Sequence, residues 1–258
     1  MEKIFDSHSH YNDNSFKEDY RDIVKHIQEQ GVGNVINVGA DIESARLAMK
    51  QAEENEFMFF SAGIHPHDAI QARDDSIMAE IETMLNHPKA VAVGEAGLDY
   101  HFDDSWSPEV QKEAFIKQIE LANRYNLPLI IHTRDAMQDT LEILNEHPLK
   151  NGVVHCYSGS RESCKQLVKM GLYIGFTGVI TFKNARRALE SLKVVPLDRL
   201  LIETDCPYMA PEPYRGKRNS SLYLPYVVER IAQIKGVTPE EVERVTENNA
   251  RILFSKVK

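Results

Sequence analysis

PEVQKEAFIKQIELANRYNLPLIIHTRD, residues 108–135, contains one complete helix-and-strand unit of this chain. Ser107 offers an N-cap and Pro108 a proline at the first helical position, so the pattern predicts a helix over residues 108–125. The apolar run LPLIIHTRD follows and predicts a short strand that ends in polar residues. The number of such units along the chain therefore indicates the fold class.

Short apolar runs of this kind alternate with longer helical patterns throughout the sequence. The other predicted strands are KIFD, GNVINVGA, MFFSAGIH, AVAVGEAGLD, GVVHCYS, LYIGFTG and RLLIETD. The other predicted helices lie near residues 16–30, 42–55, 74–86, 135–146, 160–170, 183–193 and 220–235, and Thr238 to Phe254 predicts one or two more. Gly31 and Gly171 stand where two of these helices are expected to stop.

Strands that alternate with helices imply a parallel sheet. Eight such units in 258 residues predict an α/β fold, a (β/α)8 TIM barrel, in a single domain over residues 1–258. A doubly wound open sheet is the alternative. The sequence has no GxGxxG motif after its first strand and no P-loop lysine motif.

The composition limits the classes of function. A formal net charge of -9 argues against a protein that coats nucleic acid, although it permits an enzyme that holds a few phosphates locally. The sequence has three cysteines and no CxxC pair, so we expect neither a disulfide framework nor a zinc knuckle. The start, MEKIFDSHSH, is unlike a signal peptide, and no apolar run approaches membrane-spanning length. We therefore expect a cytoplasmic protein with no membrane association.

Residues that can bind metals stand near the carboxyl ends of most predicted strands. They are His8 and His10, His65 and His67, Glu95, His132, His155 and Asp205. Barrel enzymes build their sites at this face, where ligands from distant parts of the chain converge. An open site uses about three protein ligands, so six of these residues exceed what one ion needs. The surplus indicates two metal ions with one carboxylate bridging them.

Each of these residues also has an ordinary structural interpretation. A single core histidine usually makes a hydrogen bond to the backbone, and Glu95 can be a buried carboxylate paired with Arg134. His65 is interpreted as a substrate contact, whereas His67 is equally well a surface residue or a site residue. Glu203, two residues before Asp205, is either a carboxylate that orients a ligand or part of a packed ion pair. A shared metal centre explains so many polar groups at one end of the strands more economically.

These motifs, in this order, resemble the TatD family of metal-dependent hydrolases in the amidohydrolase superfamily. The resemblance extends from residue 6 to residue 254, in the stretches DSHSHYND, GIHPHD, VGEAGLDYH, QIELANRYNLPLIIHTRDA, HCYSGS, GFTGVITFKNA, RLLIETDCPYMAP, RGKRN and TENNARILF. A lone HxH pair is weak support, but the full ordered set is highly specific.

The resemblance implies a distorted barrel with a dinuclear divalent metal site. It assigns His8, His10 and Asp205 to one ion, His132 and His155 to the other, and Glu95 to the bridge. It also implies metal-dependent deoxyribonuclease activity of the 3′-to-5′ exonuclease type. The same barrel and metal pair serve deacylases and cyclic amidases, so an amide or ester hydrolase is the alternative, and a non-catalytic metal-bound scaffold is a further one.

For a phosphodiesterase, Asp205 is expected to orient the attacking water and accept its proton, while Glu95 fixes the metal spacing. Loops after strands seven and eight often bind phosphate in barrels. The expected phosphate contacts are Arg134, Lys183, Arg215, Lys217 and Arg218, although RGKR also has the composition of a solvated basic loop. The sequence leaves the metal open among Zn, Mn, Mg, Ni and Fe. We expect a monomer that meets single-stranded DNA or DNA ends as substrate.

Overall fold

The computed structural model describes residues 4–102 and 105–257. Its strands are β1 Ile4–Ser9, β2 Val32–Val38, β3 Met58–Ala62, β4 Ala90–Asp99, β5 Leu129–Arg134, β6 Gly152–Val154, β7 Tyr173–Phe176 and β8 Leu200–Ile202. Its α-helices are α1 Tyr20–Glu29, α2 Ile42–Glu54, α3 Asp75–Leu85, α4 Pro108–Tyr125, α5 Met137–Glu146, α6 Arg161–Lys169, α7 Arg186–Val194, α8 Leu224–Lys235 and α9 Pro239–Leu253. The strand order β1 to β8 follows the chain, and the predicted (β/α)8 fold class is confirmed.

The residues group into two compact units. Unit 1 runs to Asn37 and resumes over His155–Ile252, and unit 2 contains Val38–Val154 and the residues from Leu253 onward. That residues 1–258 form a single domain stays a prediction.

In unit 1, β1 pairs with β2 and β7 with β8, both in parallel. The register places Ile4 opposite Val32 and Ile174 opposite Leu200. A parallel bridge between Ser9 and Cys206 extends the pairing beyond the end of β8. β7 and β8 are buried along their whole length, as expected for strands of a parallel sheet that is covered on both faces.

In unit 2, β3, β4, β5 and β6 pair in parallel in that order. All ten residues of β4 are buried, although this strand contains Glu95 and Asp99. The following helix, α4, begins at Pro108 as predicted, and the left-handed Asn126 (φ 52°) ends it. Ser107 occupies the N-cap position but makes no side-chain capping hydrogen bond. The helix therefore starts on its proline rather than on a capping serine.

Gly97 lets β4 and β5 approach closely beside the polar residues of both strands. It has φ 145°, and a Cβ at this position would lie 1.9 Å from the carbonyl oxygen of its register partner His132. Only a residue without a side chain is compatible with both the conformation and the spacing.

We expect Gly97→Ala to lower the free energy of unfolding by about 3 kcal/mol or more, through backbone strain and a clash with rigid backbone atoms. Gly171→Ala is a matched control, since Gly171 has φ 90° but no atom within 4 Å of an added Cβ. Its strain alone should cost about 1 kcal/mol. Thermal unfolding followed by circular dichroism measures both losses, and equal losses would contradict the clash at Gly97.

Among the helices within residues 4–102 and 105–257, none combines the length and apolar character required to cross a lipid bilayer.

Candidate functional site

His8, His10 and Asp205 form the centre of a polar cluster in unit 1. His8 lies in β1 and His10 follows this strand, so their side chains point to the same side. The two Nε2 atoms are 3.0 Å apart, and Asp205 Oδ1 lies 3.6 Å from Nε2 of His8 and 3.4 Å from Nε2 of His10. Burial alone would raise the pKa of Asp205, but the hydrogen bond with His10 and the nearby imidazoles lower it. Asp205 is therefore an ionised acceptor among imidazole nitrogens.

His155 belongs to the same cluster. Its ring stacks on that of His8 with the centroids 4.0 Å apart and the planes at 9°. Ligand atoms of His8, His155 and Asp205 lie within 4.8 Å of one another. We name the set of His8, His10, His155 and Asp205 group 1. Three of its members are buried and come from widely separated parts of the chain.

Glu203 lies behind group 1 and is fully buried. Its Oε1 accepts a hydrogen bond from the Cys156 backbone N–H and lies 3.8 Å from His155 Nδ1. Burial raises the pKa of Glu203 to about 7. A Cβ on Gly175 would lie 2.4 Å from this carboxylate, so the glycine provides the space for it. Glu203 contacts a histidine of group 1 and, within the described residues, no lysine or arginine, which favours the orienting role over the ion pair.

A buried hydrogen-bond network holds the loop that carries Asp205. The Asp6 carboxylate accepts hydrogen bonds from the Thr204 backbone N–H, the Thr204 hydroxyl and the Ser221 hydroxyl. Burial raises the pKa of Asp6 to about 6, although these hydrogen bonds act to lower it. From the other side, Asn219 Nδ2 donates to the carbonyl oxygens of Thr204 and Tyr208. Asp205, which has φ 55°, is thereby fixed from both sides.

Unit 2 has a second cluster, centred on His132 in β5. His132 Nδ1 is 2.9 Å from Glu95 Oε1, and its Nε2 is 3.0 Å from Asp99 Oδ2. Burial would lower the pKa of His132, but the hydrogen bonds with both carboxylates raise it to about 9. Burial would raise the pKa of Asp99, but the hydrogen bond with His132 lowers this pKa to about 2. The imidazole is held between two carboxylates that fix the direction of each ring nitrogen.

His65 belongs to this second cluster, and His67 lies next to it. His65 Nδ1 accepts a hydrogen bond from the His67 backbone N–H, and its Nε2 lies 3.8 Å from Glu95 Oε1. His67 Nε2 is 3.4 Å from Asp99 Oδ2, although the His67 side chain is 44% exposed. His67 therefore lies at the edge of the site. We name the set of His65, Glu95, Asp99 and His132 group 2.

The donor atoms of both groups suit a divalent metal ion. Neutral imidazole and carboxylate are good ligands for zinc, manganese, iron and nickel. Bonds of about 2.1 Å in a tetrahedral site place neighbouring ligand atoms about 3.4 Å apart. The separations among His8, His10 and Asp205, 3.0 to 3.6 Å, lie around this value. Burying these polar groups together is costly without such a partner, so the residues fit a metal.

Most of the basic residues that are expected to contact phosphate lie over aromatic rings. Arg134 lies over Phe102 with 5.0 Å from Cζ to the ring centroid, so it does not pair with Glu95. Arg215 lies 4.3 Å above Phe182, and Lys217 5.7 Å above Tyr214. Arg218 binds the carboxylate of Asp19 and the carbonyl oxygen of Ser15. Lys183 lines a cavity of about 350 Å³ together with Glu212, Glu229 and Arg230. Their roles in substrate binding stay predictions.

Sequence analysis missed three residues that support the site, namely Asp6, Asp99 and Asn219. Asp6 stands two residues before His8, and Asp99 four residues after Glu95, so each shares a strand face with a predicted ligand. That spacing was a usable signal. Asn219 closes the RGKRN motif, but its bonds to a loop eleven and fifteen residues earlier could only be found in the structure.

The contact between Asp99 and His132 makes a testable prediction. A carboxylate that holds one ring nitrogen of a histidine fixes the tautomer and aims the other nitrogen at the metal. We expect Asp99→Asn to weaken Mn²⁺ binding by about 10- to 100-fold, measured by titration calorimetry on the metal-free protein. Asp135→Asn is the control, since Asp135 makes a similar 2.8 Å contact with Nδ1 of His101, which is not a predicted ligand. Equal affinities of both variants would refute the orienting role.

Known proteins resemble this chain over nearly its whole length. The family model described as TatD related DNase matches residues 5–255. The chain is 43% identical over 253 residues to the uncharacterized metal-dependent hydrolase YabD of Bacillus subtilis, covering 97% of this chain and 98% of YabD. It is 36% identical over 266 residues to the 3′-5′ ssDNA/RNA exonuclease TatD of Salmonella typhimurium, covering 98% and 100%. The crystal structure of YjjV, a TatD homologue of Escherichia coli, superposes with a TM-score of 0.90 at 29% identity, covering 98% of each chain.

Proposed function

The chain belongs to the family of TatD-related DNases and is a metal-dependent hydrolase, and on this premise we propose that it cleaves phosphodiester bonds. The proposed activity is that of a 3′-to-5′ exonuclease on single-stranded DNA or DNA ends. The relative from Salmonella typhimurium bears the name of such an enzyme, which supports this choice of substrate over an amide or ester.

One observation carries the proposal. His8, His10 and Asp205 place three ligand-type atoms within 3.6 Å of one another, and these are the residues that the resemblance to the family assigns to one ion. A carboxylate beside two imidazoles can bind a cation and can also accept a proton from a water molecule. The site thus has both functions that metal-assisted hydrolysis requires.

We propose that groups 1 and 2 supply the ligands of one dinuclear centre. His8, His10 and Asp205 would hold one divalent ion, His132 and His155 would hold the other, and Glu95 would serve as a ligand shared by both. When bound, the two cations lower the pKa of a water molecule and hold the negative charge of the phosphoryl oxygens. The metal is one of Zn, Mn, Mg, Ni and Fe.

The remaining steps of the mechanism belong to side chains of the chain. Asp205 is an ionised acceptor at neutral pH, because its pKa is lowered, and it takes the proton of the attacking water. The Asp6 and Asn219 hydrogen bonds fix the loop of Asp205 and so keep that acceptor in one orientation. Glu203 orients His155, and Asp99 orients His132.

Substrate phosphates are proposed to meet His65 and the basic residues Arg134, Lys183, Arg215, Lys217 and Arg218. Arg215 and Lys217 lie over aromatic rings, which leaves their hydrogen-bond donors available for phosphate oxygens. Arg218 already donates to Asp19 and Ser15, so its contribution should be the smallest of the three loop cations.

The experiment is digestion of single-stranded DNA labelled at either end, with Mg²⁺, Mn²⁺ or a chelator. We expect metal-dependent shortening from the 3′ end, with a ladder from the 5′-labelled strand and early release of the 3′ label. Failure of the folded, metal-loaded protein to cleave DNA would overturn the nuclease assignment. A parallel panel of N-acetylated and carboxylic ester substrates then tests the alternative hydrolase.

A further inference from the structure

We propose that Phe102 and Arg134 form a stacking platform that binds one nucleobase of the substrate beside group 2. This inference rests on the proposed function and specifies how the substrate is recognised, through a base as well as through its phosphates. The Phe102 side chain is 44% exposed, and its ring contacts His67, whose Nε2 lies 3.4 Å from the buried carboxylate of Asp99.

The Phe102 ring contacts one cationic side chain and two imidazole rings. The Arg134 guanidinium lies over the ring, 5.0 Å from its centroid. His67 and His101 contact the ring in T-shaped arrangements, with centroid separations of 5.2 and 5.0 Å. Such an environment holds an aromatic ring in place by its charge distribution and leaves a large part of it available to another flat group.

The platform lies close to group 2 both along the chain and across the sheet. Along the chain, Phe102 follows Asp99 by three residues, and the His101 backbone N–H donates to Asp99 Oδ1 at 2.9 Å. Across the sheet, Arg134 is the register partner of Asp99. His67 contacts both the Phe102 ring and the carboxylate of Asp99. A base on the platform would therefore have its own phosphate near the residues that are proposed to bind metal and phosphate.

A nucleobase is the occupant that this chemistry favours. Bases of single strands stack on exposed aromatic side chains, and a guanidinium stacks on the same faces and also binds phosphate oxygens. The polar contacts of the ring, with two imidazoles and a guanidinium, differ from the broad apolar patch that a protein partner requires. A local contact of this kind is also compatible with a chain of net charge -9.

The test compares binding of 2′-deoxyguanosine 5′-monophosphate with binding of 2-deoxyribose 5-phosphate, which lacks the base. Titration calorimetry is done on the Mn²⁺-loaded protein, so no hydrolysis is needed. We expect the nucleotide to bind wild type about tenfold more tightly than the sugar phosphate. Phe102→Ala should reduce this advantage to about twofold or less, and Phe102→Trp should retain it because indole also stacks on bases.

Leu47→Ala is the matched control, since Leu47 in α2 is similarly exposed, at 41%, and takes no part in the site. It should leave the tenfold advantage intact.

An advantage that survives Phe102→Ala, or that is absent from wild type, would overturn the platform. If the base-dependent binding is present but wild type cleaves no DNA, the proposed function fails and the platform stands. If DNA is cleaved without base-dependent binding, the platform alone fails.

Discussion

Asp205→Asn is expected to lower the rate of phosphodiester hydrolysis by about a thousandfold at saturating metal, since removing a general base typically costs 10² to 10⁴ in rate. The amide has the shape of the carboxylate but cannot accept the proton of the attacking water. Asp205 is buried and ionised next to His8 and His10, so the substitution also removes a negative charge from group 1. The measurement is the initial rate on end-labelled single-stranded DNA.

Two controls separate catalysis from folding. The thermal unfolding temperature of Asp205→Asn should stay close to that of wild type, because Asp6 accepts a hydrogen bond from Thr204 and Asn219 donates one to it, so that neither of these bonds involves the Asp205 side chain. Asp198→Asn removes an exposed carboxylate of unit 1 and should leave the rate unchanged. A folded Asp205→Asn variant with the wild-type rate would show that Asp205 is not the proton acceptor.

Glu95→Gln is expected to leave one bound metal ion in place of the proposed two and to lower hydrolysis by at least about a thousandfold, since the proposed role of Glu95 is to serve both ions. Glu95 is buried, and its Oε1 lies 2.9 Å from His132 Nδ1 and 3.8 Å from His65 Nε2. A neutral amide offers a weaker ligand than a carboxylate and cannot balance two cations. Mass spectrometry of the dialysed, metal-loaded protein counts the ions per chain.

Glu54→Gln is the control for this substitution, since Glu54 is an exposed residue at the end of α2 in the same unit. It should retain both ions and full activity. Two tightly bound ions in Glu95→Gln would exclude Glu95 as the bridge, whereas no bound ion would mean that both sites depend on it.

Strong local signals in the sequence predicted much of the fold. α4 occupies residues 108–125 as predicted, because Pro108 fixes its start and the apolar periodicity continues to Tyr125. Gly31 and Gly171, with φ 93° and 90°, end helices where they were expected to. α1 begins at Tyr20 rather than near residue 16, because the Asp13 side chain caps a short 3-10 helix over Asn14–Phe16 first.

The strand ends could not be read from periodicity. RLLIETD was predicted as one strand, but β8 ends at Ile202 and Asp205 adopts φ 55°. GVVHCYS likewise ends as a strand at Val154, and Cys156 has φ 44°. In both cases a residue proposed to bind metal stands outside the regular strand, where hydrogen bonds with distant residues determine the backbone. A hydrophobic pattern has no information about those partners.

The site was predictable to a similar extent. The HxH pair and the polar strand ends identified group 1 and most of group 2, because the residue types themselves carry the chemistry. Asp99 was missed although it follows Glu95 by four residues on the same strand face, because only the structure shows its contact with His132. Phe102 was missed for the same reason, as its exposure and its contact with Arg134 depend on tertiary structure.

The proposed function depends most on the proposed dinuclear centre, for which groups 1 and 2 would supply the ligands. Electron paramagnetic resonance of the metal-free protein titrated with Mn²⁺ tests this most directly, since ions about 3.5 to 4 Å apart at a shared carboxylate are exchange-coupled. We predict that two equivalents give the spectrum of a coupled pair under conditions in which the protein degrades DNA. Two equivalents that give only the sum of isolated six-line Mn²⁺ spectra would contradict the shared centre.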